Sequence, residues 1–211
     1  MRRVIIVPEQ LEAAILEDCL EASVLQVFDG DGDGDGFLAD VWNPLRETWV
    51  RRVPFRFAFI DAPEMAQLHG AQSRDFLQRL IAGKSLRLMP VGKESTGGMP
   101  IDPYRRMLCM AYLTAQMEVG RIAYFHDGVF ESGLVRRART VCRNIELEMI
   151  VNGWAWVVER YAFDREAEYL AAQDDARRAR RGLWVVRDPE PPWSFKRRHK
   201  RSAVDRQYGL L

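Results

Sequence analysis

Phe55-Arg56-Phe57-Ala58-Phe59-Ile60-Asp61-Ala62-Pro63-Glu64 is the most informative stretch of the chain. Alternation puts Phe55, Phe57 and Phe59 on one side of a strand and Arg56, Ala58 and Ile60 on the other. The strand runs out into two carboxylates three residues apart, with Pro63 fixing the turn between them. An arginine inside an aromatic strand calls for an anionic partner. Two partners answer that need: a bound anion, or Asp61 and Glu64 themselves, closing one end of a barrel.

The flanking sequence supplies the rest of a small sheet. Upstream, strand patterns cover 24–28 and 37–42 on either side of an Asp-Gly run, and a β-rich stretch covers 48–60. Downstream, a helix is predicted over 70–82, where Ser73, Phe76, Leu77, Leu80 and Ile81 share a face and Gly83 supplies a left-handed cap. Strand-like runs return at 86–91 and 107–113. A short helix starts at the N-cap Asn144 and stops at Gly153. A longer one starts at Asp164, buries Tyr169, Ala172, Ala176 and Ala179, and ends by Gly182. Ahead of all this, residues 8–22 read as an amphipathic helix with Pro8 at its start and Leu11, Ile15 and Cys19 spaced four apart. The order predicts an α+β fold: a small closed β-barrel with helices packed on it.

Composition agrees and excludes alternatives. The 211 residues are 47% hydrophobic and 10% aromatic, enough for a real core and too much for wholesale disorder. A net charge of +1 excludes a globally basic coat, yet the charge is uneven. Residues 9–40 hold ten acids and no Lys or Arg, whereas residues 177–201 hold ten Lys or Arg against two acids. Residues 103–143 add seven arginines against three acids. This asymmetry suggests that the acidic N-terminal part docks on a basic patch and shields it. The three cysteines, far apart, point to a reduced compartment rather than a disulfide framework or zinc site. No run is long and apolar enough to span a bilayer, and acids follow the short apolar start at once. The expectation is a cytoplasmic protein without membrane attachment.

Asp29-Gly30-Asp31-Gly32-Asp33-Gly34-Asp35-Gly36 falls where the first strand turns back. Alternating carboxylates on a glycine backbone offer hard oxygen ligands suited to Ca²⁺, and Asp-Gly is equally a hairpin turn signal. An EF-hand starting at Asp29 fits poorly: Gly36 stands at its eighth position, Asp40 at its twelfth, and a strand pattern follows. A third element, Asp102-Pro103-Tyr104-Arg105-Arg106, is a turn with a basic edge leading into the strand at 107–113.

Taken together, these pieces resemble the staphylococcal nuclease family. Its pattern is an Asp-Gly-Asp turn, an Arg followed by Val/Ile-Asp-x-Pro-Glu, and Asp-x-Tyr-Gly-Arg. Later come an Asn, Gly-x-Ala and a final Gly-Leu/Ile-Trp. Here these are Asp33-Gly34-Asp35, Arg56 with Ile60 to Glu64, Asp102 to Arg106, Asn144, Gly153-Trp154-Ala155 and Gly182-Leu183-Trp184. The match runs in order over about residues 23–195.

The resemblance implies a five-stranded OB-fold-type barrel with about three packed helices, to which this chain adds an N-terminal helix. It divides the chain into an N-terminal helical extension (1–22), a nuclease-like domain (23–195) with an insertion near 115–143, and a basic tail (196–211). It further implies Ca²⁺-dependent hydrolysis of DNA and/or RNA. The implied metal ligands are Asp35, Asp61 and the backbone carbonyl of Ala62, with Asp31 the alternative register in the repeat. Glu64 is implied as general base on water, and Arg56 and Arg106 as the residues that grip the phosphate. Tyr104, Arg105 and Tyr161 are implied on the substrate side. Arg105 stands where the family has Gly and competes with Arg106, and Glu159 replaces a tyrosine beside the nucleotide. The insertion, with Arg136-Arg137-Ala138-Arg139, reads as a nucleic-acid clamp or a charged hairpin. The run from Lys196 to Arg201 reads as a phosphate-binding arm or as disordered. A catalytically inactive barrel that binds nucleic acid or a protein partner is the alternative to the enzyme.

Overall fold

The computed structural model describes residues 2–28, 33–92, 98–117, 120–126, 128–135, 139–159 and 162–207. Five strands close a barrel: β2 (Leu20–Val27), β3 (Gly36–Asn43), β4 (Thr48–Phe57), β6 (Ser85–Pro90) and β7 (Met107–Met117). The ladder runs β7-β4-β3-β2-β6, and β6 pairs back onto β7. Only the β4–β7 junction is parallel; the other four pairings are antiparallel. The predicted α+β barrel of OB type is therefore present.

The aromatic side of the central strand fills this barrel. Phe37 on β3 stacks on Phe55 with ring centroids 5.4 Å apart and meets Phe57 at 5.6 Å, all three fully buried. Rings of this size contribute about 1.5–3 kcal/mol each on burial, so the aromatic repeat is the main apolar anchor of the sheet. The alternation stops sooner than the sequence suggests. After Phe57 the chain kinks, and Ile60–Asp61 forms a separate short strand, β5, antiparallel to β11 (Trp156–Val157). The kink follows the hydrogen bonds: Ala58 N–H still donates to Cys109 O at 3.0 Å, but Phe59 N–H turns to the Glu146 side chain at 3.2 Å.

Three helices pack on the barrel. α2 (Gly70–Ile81) buries the five residues read from its periodicity, and Gly83 follows at φ 67°. α3 (Ile145–Val151) is capped by Asn144, whose Oδ1 accepts from Leu147 N–H at 3.0 Å. α4 (Glu166–Arg178) buries Tyr169, Ala172, Gln173 and Ala176. Ala179 is exposed instead of buried, because the helix stops at Arg178 and Gly182 opens a separate 3₁₀ turn.

The ends of the chain depart most from expectation. α1 is shorter than predicted, Glu9–Asp18, and Leu20 already pairs with Leu88 in the barrel. Of its spaced apolar residues, Ile15 and Cys19 are buried and Leu11 is exposed. Before it, β1 (Val4–Ile5) lies parallel to β8 (Gly120–His126), which pairs with β9 (Val129–Val135). β10 (Arg139–Asn144) then returns along β7. The 115–143 insertion is thus a hairpin sheet docked on the N-terminal strand; Arg136, Arg137 and Ala138 lie outside the described residues. The basic tail is a helix, α5 (Pro192–Gln207), beginning before the predicted tail. No helix among the described residues is long and apolar enough to cross a membrane.

Candidate active site

Strand register brings the charged residues together. Gly36 pairs with Arg56 across β3 and β4, and Asp35 O accepts from Phe57 N–H at 2.9 Å, so the Asp-Gly turn ends against the arginine. β4 leads through the kink to Asp61 on β5, and β11 sets Trp156 opposite Asp61. The parallel β4–β7 register places Arg56 beside Leu108, two residues beyond Arg106. Glycine is required within the turn itself. A Cβ at Gly34 would stand 2.5 Å from Ser73 Oγ and 3.0 Å from Arg74 N, so only a bare backbone lets the turn lie against α2.

Asp33, Asp35 and Asp61 form one cluster, each offering a carboxylate oxygen within 4.8 Å of the others. Arg56 donates to Asp35 Oδ2 from Nε (3.2 Å) and Nη2 (2.9 Å), and Nη2 also reaches Asp61 Oδ1 at 2.9 Å. Among the described residues its hydrogen-bonded anionic partners are therefore Asp35 and Asp61, and not Glu64. Asp35 Oδ1 is fully buried and accepts no hydrogen bond among the described residues. A buried, bare carboxylate oxygen costs free energy unless something else binds it, and a cation does so directly.

The electrostatics carry the same message. Burial and the neighbouring Asp35 carboxylate push Asp33 up to about 9, and burial with Asp35 pushes Asp61 up to about 6. Burial opposes ionisation of Asp35 too, but Arg56 outweighs it and, with Asp33 beside it, holds it below the usual carboxylate range. Three carboxylates this close need more positive charge than Arg56 brings. The cluster fits a hard divalent cation held by oxygen ligands.

Of the residues read as metal ligands, Asp35 and Asp61 lie in this cluster, and Ala62 follows Asp61, fully buried. Asp31 and Tyr161 lie outside the described residues. Asp33, not singled out in the sequence although it opens the same Asp-Gly-Asp triplet, completes the cluster. Glu64 stands at the rim of the cluster, its backbone N–H donating to Gln67 Oε1 at 2.8 Å. Arg106 donates from Nε to Asp102 Oδ2 at 2.8 Å and lines a cleft with Arg56, Glu64, Asp33 and Tyr104. Its two Nη groups make no hydrogen bond among the described residues. Tyr104 is 80% exposed beside it. Arg105 is exposed, sits at φ 63° and does not line the cleft. That left-handed backbone is why glycine suits the position and why Arg106, not Arg105, faces the site.

Glu159 lines a second cleft of about 490 Å³ with Arg56, Asp61 and Val157. The residue wholly missed by sequence reasoning is Lys196. Its Nζ lies 2.8 Å from Glu64 Oε1 and 3.2 Å from Asp61 Oδ1. Its only sequence signal was membership of the basic run. Burial works against the ammonium, but Asp61 and Glu64 outweigh it and keep it charged.

An α+β barrel with carboxylates and arginines gathered at one rim defines the class: a closed barrel whose acidic cluster has the donor set for a hard cation. The chain belongs to the staphylococcal nuclease homologue family, whose model matches residues 54–186. It is 30% identical over 179 residues to an uncharacterized endonuclease of Escherichia coli, covering 85% of this chain and 86% of that one. A micrococcal nuclease of Shigella flexneri is 28% identical over 148 residues, 70% of each chain. A probable staphylococcal-like nuclease of Oryza sativa, CAN4, is 30% identical over 158 residues, 75% of this chain. The chain spans only 24% of that rice protein's length.

Proposed function

We propose that the protein is a calcium-dependent nuclease that hydrolyses phosphodiester bonds of DNA and/or RNA. The observation that carries the reading is the convergence of Asp33, Glu64, Arg56 and Arg106 on one cleft, with Asp35 and Asp61 clustered against Asp33 and Asp35 Oδ1 left bare. The names of the relatives, nuclease and endonuclease, support it.

Asp35, Asp61 and the carbonyl of Ala62 would hold the metal, with Asp33 beside them. A bound calcium ion supplies Lewis-acid polarisation of a phosphate oxygen. Glu64 takes the proton from the attacking water, a step that contributes typically 10²- to 10⁴-fold. Arg106, anchored through Nε by Asp102, turns its two free Nη groups to the phosphate oxygens. Arg56 adds its fork as phosphate draws it from the carboxylates, and the pair stabilises the charge of the five-coordinate transition state. Lysine at either place would lose the fork. Tyr104 offers an exposed ring for a nucleotide base beside Arg106.

The test is hydrolysis of single-stranded DNA and of RNA in calcium and in chelator, with Glu64→Gln alongside. Cleavage should require calcium and fall about 10²-fold or more in the variant, with substrate binding retained. Absence of cleavage by the wild-type chain, with salt-sensitive binding retained, would replace this reading with a non-catalytic nucleic-acid-binding barrel.

A further inference from the structure

α5 lies across the cleft, yet beyond Pro192 none of its described side chains is buried. Its sequence, Pro192-Trp-Ser-Phe-Lys-Arg-Arg-His-Lys-Arg, is basic and polar on most sides, and beyond Pro192 its apolar residues are only half-buried (Phe195) or exposed (Trp193), so apolar burial contributes little to holding it down. Two sets of polar contacts add to it. At its root, Gln67 Nε2 donates to the Glu190 carbonyl at 3.0 Å, and Arg198 pairs with the Glu190 carboxylate at 2.7 Å. Over the site, Lys196 Nζ reaches Glu64 and Asp61 and stands 3.9 Å from Asp33 Oδ2.

Lys196 is an incomplete answer to the acidic cluster. It brings one charge to four carboxylates and leaves Asp35 Oδ1 bare. A hard divalent ion takes oxygens of the same side chains, brings twice the charge and repels a second cation held on them.

We propose that Lys196 is a tethered stand-in cation: in the metal-free protein it binds the acidic cluster and straps α5 over the cleft, and calcium entering the cluster expels it and lifts the helix. The proposal rests on the reading of the cluster as a calcium site. Trp193 and Arg197, which line the 490 Å³ cleft beside Glu159, leave with the helix. The two clefts now sharing Arg56 then join into one groove. The basic run from Lys196 to Arg201 is freed at the groove's edge, where a phosphate backbone attracts it. One ion thus both completes the site and uncovers it.

Two measurements on the full chain without nucleic acid test this. Hydrogen exchange over 192–207 should speed up about tenfold or more when calcium is added to the wild type, and should already be fast without calcium in Lys196→Met. Calorimetric titration should show Lys196→Met binding calcium about tenfold more tightly, because the competing charge is gone. Equal calcium affinity, with α5 exchange indifferent to the ion, would overturn the strap and leave the metal site standing. No calcium binding by either protein would overturn the metal reading and the strap with it. The wild-type exchange comparison needs no substitution, so it decides the question even if the variant fails to fold.

Discussion

Asp33 and Asp61 hold protons that exposed aspartates lose, and this sets how stability responds to pH. A carboxyl whose pKa is raised on folding stays protonated in the native state while the unfolded chain has already ionised. The native state then holds more protons than the unfolded one, so stability falls as pH rises. For Asp61 the loss runs from near pH 4 to about 6, and for Asp33 from near pH 4 to about 9. Calcium requires the ionised forms, so its stabilising effect must grow across the same window. Melting temperatures with and without calcium should differ little at pH 5 and increasingly at pH 7 and 8.5. Asp33→Asn should raise the metal-free melting temperature at pH 8 and leave it nearly unchanged at pH 4. A calcium effect independent of pH would contradict the assignment. At this scale the proximity of Arg56, Asp61 and Glu64 was legible, because one short stretch of chain carries all three past a single kink. Lys196 was not legible, since a lysine within a run of basic residues looks like any solvated charge until α5 is folded over the cleft.

The kink between β4 and β5 aims Asp61 and Glu64, and α3 holds it in place. Asn144 caps the helix, its Nδ2 donates to Tyr169 Oη at 3.3 Å, and Tyr169 donates to Glu146 Oε2 at 2.7 Å. Glu146 Oε1 in turn accepts from Phe59 N–H at the kink. All three polar side chains are buried, so losing one leaves its neighbours unsatisfied. Asn144→Ala should cost about 1–2 kcal/mol. For a domain of this size that lowers the melting point by about 2–8 °C, readable by circular dichroism. A melting point within a degree of wild type would show the cap to be dispensable. Asn144 could be read from the sequence as a cap, and α2 and α4 as amphipathic helices, because each rests on local spacing. β1 could not, since two residues carry no periodicity. Nor could α5, whose charged sequence has no apolar face and whose position depends on a carboxylate cluster built by distant strands.

The molecule as a whole is less modular than its charge pattern suggests. The acidic stretch at 9–40 meets the basic C-terminal run where Lys196 stands 3.9 Å from Asp33 Oδ2, while near its start Glu12 Oε1 accepts from Cys142 N–H at 3.1 Å. Residues 2–7 are stitched to the body: Arg3 pairs with Asp175 at 2.7 Å, and Ile5, Ile6 and Val7 are buried. Deleting residues 1–22 also removes Leu20 and Ala22 from their pairing with β6. Several buried side chains at about 1.5–3 kcal/mol each exhaust a typical stability of 5–15 kcal/mol. That truncation should therefore show no cooperative thermal transition. A sharp melt within a few degrees of the full chain would prove the N-terminal part an independent appendage. The same stitching has a kinetic side. Val4 and Ile5 pair with Ile122 and Ala123, so a segment made early on the ribosome waits for partners more than a hundred residues later. Such non-local pairing slows folding. Until the hairpin emerges, the apolar run from Val4 to Val7 stays uncovered on the nascent chain, where holding it apart from its neighbours is a task for chaperones rather than for the fold.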